Sequence, residues 1–394
     1  MEPGGEDPSG WSPAVRVFGA DLYGGTSGIA WFLGQLAALT GEAPLLRTAE
    51  AAANHALDAL TGVETLGYGY YSGASGAAYA LIDLGERLGR PAWIEKGLAA
   101  FHAIAALPPS PHALDVIAGS AGLIPALLDI ARRYDRPPLV DAARRHGENL
   151  LTTAIAEPQG HCWDTLHGSG QPPLTGYSHG VAGIVCALLE LDHEVQDPRL
   201  REAALAGLRF ERALFSPEHS NWPDLRDLSE LSGLAKANAP DNGPSYNLAW
   251  CHGAPGILLG RLRCRALLDD PEVDAEIDAA LRSTIASVQA FGNSPMSNLS
   301  LCHGEGGNAD ILLVAAELLQ KQEIRAVAEE LGSRALVAHH QHDRPWPCGV
   351  MDVGECPGLL LGLAGIGTLL LRLDGRANLR SPLIVWPQES RSIR

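Results

Sequence analysis

The chain has 394 residues, 46% of them hydrophobic and 19% charged, with a formal net charge of −17. That composition fits a globular protein with ample core, and the charge argues against nucleic acid and anionic membrane surfaces, which both want a basic face. Seven cysteines are scattered without the spacing of a small disulfide framework, so they read as reduced thiols, some of them available to a metal.

The start, Met1-Glu2-Pro3-Gly4-Gly5-Glu6-Asp7, is acidic and turn-rich. It is the opposite of a secretory signal, and residues 1–20 read as an N-terminal extension. From there the glycines repeat. Gly-x-x-Gly followed by a small or apolar run occurs at Gly25/Gly28, Gly73/Gly76, Gly119/Gly122, Gly180/Gly183, Gly253/Gly256, Gly304/Gly307 and Gly362/Gly365. The first glycines are 48, 46, 61, 73, 51 and 58 residues apart. Each interval has room for two helices and two connections, and helical repeats of this size stack to bury a shared core. The run from Gly28 to Leu39 is apolar almost all round, as an inner helix should be. Ala92 to Ala106 mixes Glu95 and Lys96 with Ile94, Leu98, Phe101 and Ile104, the pattern of a half-exposed outer helix. Seven such pairs predict an all-α ring of two layers, an α/α toroid formed as one domain by residues 21–380. The turn glycines would meet at one end of that ring.

Three spans depart from the repeat. Pro158 to Pro173 reads as a surface loop or hairpin. Arg209 to Asn247 is the longest gap, with Asn221-Trp222-Pro223-Asp224-Leu225-Arg226 and the turn-rich Ala239-Pro240-Asp241-Asn242-Gly243-Pro244, and long loops over a scaffold often grip substrates. Residues 381–394 read as a C-terminal tail without candidate chemistry. No apolar run approaches the roughly 20 residues of a membrane span; the longest, Cys356 to Leu373, is broken by Pro357 and four glycines. The expected location is the cytoplasm.

Two of the seven turns, Trp250-Cys251-His252-Gly253 and Leu301-Cys302-His303-Gly304, set a thiol beside an imidazole. Cys251 and Cys302 are 51 residues apart, too far for a local zinc knuckle. Adjacent side chains diverge, so one Cys-His pair is expected to give both members and the other mainly its cysteine. Two thiolates and one imidazole cancel the charge of a zinc ion and leave a fourth position open, the pattern of a catalytic site. A substrate thiol entering that position would lose its proton near neutral pH. The two cysteines favour sulfur chemistry over water activation, which neutral His ligands serve better. The fourth repeat adds His179, suited to general acid or base work. The third adds Asp115, placed to orient His179 or to handle a second proton. The other repeats offer only Tyr23, Tyr71, Ser72 and apolar residues there. Cys186 and Cys264 fall within apolar helices and read as core. Cys348 is a candidate to approach the rim, and His339-His340-Gln341-His342 reads as a solvated stretch.

At these residues the sequence resembles the lanthionine synthetase C-like family, the cyclases of lanthipeptide biosynthesis. The carriers are Trp250-Cys251-His252-Gly253-Ala254-Pro255-Gly256-Ile257, Cys302-His303-Gly304 with Gly307-Asn308, Ser178-His179-Gly180-Val181-Ala182-Gly183-Ile184 and Asp115-Val116-Ile117-Ala118-Gly119. Within the family it resembles most the C-terminal cyclase domain of class II synthetases, with counterparts to Glu211-Arg212-Ala213-Leu214-Phe215 and Asn221-Trp222-Pro223-Asp224-Leu225-Arg226. The resemblance implies a toroid with zinc at one end, held by Cys251, Cys302 and His303, with His179 and Asp115 in the acid/base positions. His252 would support the ligand before it. Asn247 stands four residues before the first ligand, where some members carry Arg. The implied reaction adds peptide cysteine thiols to dehydroalanine or dehydrobutyrine, closing thioether rings. The substrate would be a dehydrated precursor peptide supplied by a separate dehydratase, since the large domain that performs dehydration in class II enzymes is not in this sequence. The alternatives are an enzyme joining glutathione or another thiol to dehydroamino acids, and a non-catalytic scaffold that binds a modified peptide or its dehydratase. A carbohydrate-processing toroid would need paired carboxylates at the rim.

Overall fold

The computed structural model describes residues 17–226, 244–294, 297–350 and 354–385, with the backbone alone of 2–3 and 11–12. The rest of the acidic start, the turn-rich Ala239 to Gly243 and the chain from 386 onward lie outside the described residues. Seven inner helices follow the seven glycine pairs: α1 (Thr26–Thr40), α4 (Ala74–Leu88), α6 (Ser120–Tyr134), α8 (Val181–Val195), α10 (Ala254–Leu267), α12 (Glu305–Leu319) and α14 (Leu363–Asp374). Six outer helices alternate with them: α2 (Ala43–Ala59), α5 (Pro91–Ala106), α7 (Pro137–Thr152), α9 (Pro198–Leu214), α11 (Pro271–Gln289) and α13 (Gln322–Ala335). A one-turn helix, α3 (Val63–Leu66), follows α2. Each inner helix packs on the next, and α14 touches both α12 and α1, which closes the ring. The all-α toroid expected from the repeat is what the chain forms.

The two glycines of each motif do different work. The first is the N-cap of the inner helix in all seven repeats. The second packs its bare Cα on the carbonyl oxygen of the residue six positions earlier: a Cβ at Gly76 would fall 1.6 Å from Tyr70 O, and one at Gly256 2.0 Å from Trp250 O. Only glycine lets the turn fold back so closely on its own helix. At the far end, α1, α4, α6, α8 and α12 each stop at a left-handed residue, respectively Gly41, Gly89, Asp135, Gln196 and Gln320. A proline then opens outer helices α2, α5, α7, α9 and α11 at N1 or N2. In the first four helical hairpins the left-handed stop and the proline start occur together and make the connection tight.

Three details differ from the sequence expectation. The inner layer is not wholly apolar: on α10, Arg263 pairs with Glu190 of α8, and Arg261 with Glu211 of α9 and Glu276 of α11. All of these carboxylates and guanidiniums are buried or nearly so, which is tolerable because each is paired. The seventh inner helix has no outer partner among the described residues. Instead the chain turns back inside the ring, where Tyr71 donates to Pro382 O at 2.8 Å and Trp250 Nε1 to Leu383 O at 3.1 Å. Residues 381–385, assigned by sequence to the tail, are therefore buried among the inner helices. The Pro158–Pro173 span, expected as a loop or hairpin, does begin as the turn of a two-stranded hairpin, β3 (Ile155–Glu157) with β4 (Gly160–Cys162); β1 (Glu2–Pro3) pairs with β2 (Trp11–Ser12). Among the described residues, no helix is long and apolar enough to cross a membrane.

Candidate metal and catalytic site

The turns that start the inner helices are joined by backbone hydrogen bonds that run around the mouth of the ring. Tyr23 N donates to Tyr71 O, Tyr71 N to Ile117 O, Val116 N to Ser178 O, and Ser178 N to Cys251 O. Cys251 N then donates to Cys302 O, Cys302 N to Leu360 O, and Leu360 N back to Tyr23 O. The distances are 2.9–3.4 Å. Every residue in this circuit except Val116 lies two positions before the first glycine of its repeat. The circuit slips by one residue at the third repeat and is otherwise in register.

This register places the candidate residues. Cys251 and Cys302 occupy equivalent positions in neighbouring repeats and are bonded directly through their backbones. His179, His252 and His303 occupy the next position in three consecutive repeats. The three imidazoles meet different surroundings. His179 is half-buried and its Nδ1–H donates to Asp115 Oδ2 at 2.6 Å. Asp115 is buried and its Oδ1 accepts from Ala118 N at 2.8 Å, so the carboxylate is fixed before it meets the ring. His252 is buried, with its Nδ1 unpartnered. Burial, then the nearby Arg226 charge, pull its pKa down to about 3 and keep it neutral. The His179 and His252 rings are 5.9 Å apart, near parallel at 27°. His303 is exposed to the mouth, and its Nε2–H donates to Gly349 O at 2.9 Å.

The thiols are coupled. Hydrogen bonding to Cys251 pulls the Cys302 thiol well below the usual range, against burial, with His303 and Tyr23 helping. The same bond, with burial, pushes Cys251 up. Desolvation acts to lower the His303 pKa, but the Cys302 thiolate outweighs it and the net shift is upward. Cys251, Cys302 and His303 thus shift one another's proton affinities as near neighbours do. Among the described residues no group of three or more His, Cys, Asp and Glu side chains already stands in metal-holding geometry. The donor chemistry of these three nonetheless fits zinc: two thiol ligands, one imidazole, and a backbone carbonyl on the imidazole's other nitrogen, the usual device for orienting a ligating histidine.

Asn247 does not reach the thiols. Its Nδ2 donates to Asp224 Oδ2 at 2.8 Å, and Asp224 in turn holds Arg226. Two residues at the site carried no role in the sequence reading. Tyr23 helps to pull the Cys302 thiol down; it sits at the cysteines' register position in the first repeat, so aligning the repeats was the available signal. Arg226 acts electrostatically on both thiols, and no repeat position announces it. Cys348 does approach the rim, its Sγ 3.8 Å from Cys356 O, and the next residue supplies the carbonyl that holds His303. Cys186 and Cys264 are core residues, and the His339–His342 stretch is solvent-facing, part of it wound as a π-helical turn after α13. A cavity of about 440 Å³ between the inner helices is lined by Trp31, Tyr70, Tyr79, Asp83 and Arg133 and includes none of the candidate site residues.

A toroid of seven repeats with paired thiols and a His-Asp dyad at its mouth defines a class, and comparison with known proteins gives the class its family. The family model described as lanthionine synthetase C-like protein matches residues 16–386, and the chain belongs to that family. A curated relative, the Lacticin 481/lactococcin biosynthesis protein LcnDR2 of Lactococcus lactis subsp. lactis, is 23% identical over 269 residues. That alignment takes in 66% of this chain and only 25% of the relative's length. Among solved structures, one titled Nisin cyclase superposes with a TM-score of 0.67 at 20% identity, covering 91% of this chain and 90% of that one. The likeness supports the fold.

Proposed function

We propose that this protein is a zinc-dependent cyclase that adds cysteine thiols of a dehydrated peptide to dehydroalanine or dehydrobutyrine. The observation that carries the reading is the His179–Asp115 dyad, with His179 one repeat from Cys251 and two from Cys302 around the same mouth. Cys251, Cys302 and His303 would hold the zinc, which supplies a lowered pKa for the incoming peptide thiol. The chain's own residues handle the rest. Because Nδ1–H is committed to Asp115, the neutral His179 ring presents its lone pair at Nε2. It can take the thiol proton there, and the resulting imidazolium is stabilised by the buried carboxylate. Sulfur adds at the β-carbon, the double-bond electrons move toward the carbonyl oxygen, and His179 returns the proton to the α-carbon. The balance is one S–H and one C=C converted to one C–S and one C–H bond, with no net oxidation. A separate dehydratase would supply the peptide, and the free thiols would suit a reducing compartment such as the cytoplasm.

The test pairs metal content with ring closure on a dehydrated peptide, read by mass and by loss of free thiol. His179→Ala should keep its zinc and close rings about 10²–10⁴-fold more slowly, the scale of losing a general acid or base. Near-normal closure by that variant would remove His179 from the mechanism. Loss of zinc with His179 would redraw the ligand set.

A further inference from the structure

We propose that Arg226 is the residue that binds the carbonyl oxygen of the dehydroamino acid and stabilises the negative charge it gains as the thiol adds. This rests on the cyclase reading above. The reaction needs three functions at once: an activated sulfur, a proton for the α-carbon, and a donor for the developing oxyanion. The thiol pair and His179 account for the first two. The third falls to another group.

Arg226 is built for it. The stretch that carries it is locked to the turn of the fifth repeat: Asn221 Oδ1 accepts from Ala254 N at 2.7 Å, and its Nδ2 donates to Asn247 O at 2.9 Å. Trp222 beside it is fully buried, and Thr175 Oγ1 donates to Pro223 O at 2.7 Å. Asp224, its side chain wholly buried, takes Arg226 Nε at 2.9 Å on Oδ1 and Nη2 at 2.6 Å on Oδ2, while Asn247 holds the same Oδ2. The fork uses one edge of the guanidinium. Nη1 has no hydrogen-bond partner among the described residues, and the side chain is 28% exposed. A planar cation whose edge is pinned and whose other nitrogen is unengaged presents a preorganised oxygen-binding group. The stretch that carries it is held by Asn247 O and Ala254 N, which stand on either side of Cys251 in the chain, so the group is fixed at the turn that bears that thiol. Asn247 becomes intelligible in the same frame: it holds the aspartate that aims the arginine.

The experiment compares wild type, Arg226→Gln and Arg226→Lys in three measurements: bound zinc, binding of a fluorescent dehydroalanine peptide to zinc-stripped protein, and the rate of ring closure by zinc-loaded protein. The expected result for Arg226→Gln is full zinc content, peptide affinity weakened about tenfold, and kcat lowered about 10²–10³-fold, the scale of losing one oxyanion donor. Arg226→Lys keeps the charge without the fork and should fall between the two. Ring closure by Arg226→Gln at the wild-type rate overturns the assignment while leaving the cyclase reading intact. Zinc loss in that variant also overturns it, by making Arg226 a counter-charge for the thiolates. If wild type binds the peptide through Arg226 yet closes no ring, the cyclase reading fails and the carbonyl-binding assignment stands.

Discussion

Arg263→Met would strand a charge in the wall of the ring. Arg263 of α10 forks onto Glu190 of α8, with Nη2 at 2.6 Å from Oε2 and Nε on the other oxygen, and both side chains are 2% exposed. Water cannot take over the bond, so the lone carboxylate should cost about 3–5 kcal/mol. For a chain of 394 residues, at about 2.1 cal/mol/K per residue, the unfolding entropy near the midpoint is about 0.8 kcal/mol/K, and Tm should fall by about 4–6 °C. Replacing both partners separates charge from packing. Glu190→Leu with Arg263→Met fills a similar volume without ions and should match wild type or exceed it by up to about 4 kcal/mol. Thermal and urea unfolding of wild type, both single variants and the double variant, followed by far-ultraviolet circular dichroism, gives the comparison. A double variant as damaged as Arg263→Met would refute the reasoning, since the loss would then come from shape. The pair also bears on the site: α8 begins just after His179 and α10 just after Cys251.

Three further outcomes are expected. Cys251→Ala and Cys302→Ala should each lower bound zinc below about one per chain, whereas chelation of wild type should abolish ring closure and leave the helical signal, because the stacked repeats hold the ring without the rim site; cooperative unfolding on chelation would make the metal structural. Burial, then Arg145, depress buried His146 from 6.5 to about 4, so the unfolded chain binds the extra proton between those values and stability falls by up to about 3 kcal/mol as pH drops from about 6.5 toward 4. His146→Leu should flatten that part of a Tm-against-pH series, and an unchanged slope would exclude His146 as its source. Gly76→Ala must push a Cβ into Tyr70 O, a backbone atom that cannot step aside, at a cost of about 3 kcal/mol or more, while Gly24→Ala, with nothing near its Cβ, should stay within about 0.5 kcal/mol of wild type; equal midpoints for the two would reject the close-packing role of the second glycine.

Much of this was legible because it repeats. The Gly-x-x-Gly spacing located all seven inner helices, and the outer layer followed from its charge pattern. The same register put Cys251, Cys302, His303 and His179 at the turns, with Asp115 just before its own, and the turns do gather at one end. What did not repeat did not read. Arg226 comes to the turn of the fifth repeat from an irregular stretch and is held there by Asp224, an arrangement set by tertiary packing with no sequence period. His252 and His303 look alike in sequence, yet one is buried beside Asp224 and Arg226 and the other faces Gly349 O. The arginines of α10 break the apolar pattern because their partners come from other helices. The inward turn of residues 381–385 gave no signal, since Ser381-Pro382-Leu383-Ile384-Val385 is too short to carry one.

The circuit of rim hydrogen bonds works as a linkage of seven joints, and in a linkage positional error accumulates joint by joint. Cys251 and Cys302 are separated by a single joint, so their distance is nearly indifferent to breathing elsewhere in the ring. His179, carried by Ser178, is two joints from Cys302, and its partner Asp115 lies across the slipped joint at Val116. Stiffness at the mouth is therefore graded. The two sulfurs are set relative to each other through one bond, whereas the gap between the proton carrier and the second sulfur is set through two.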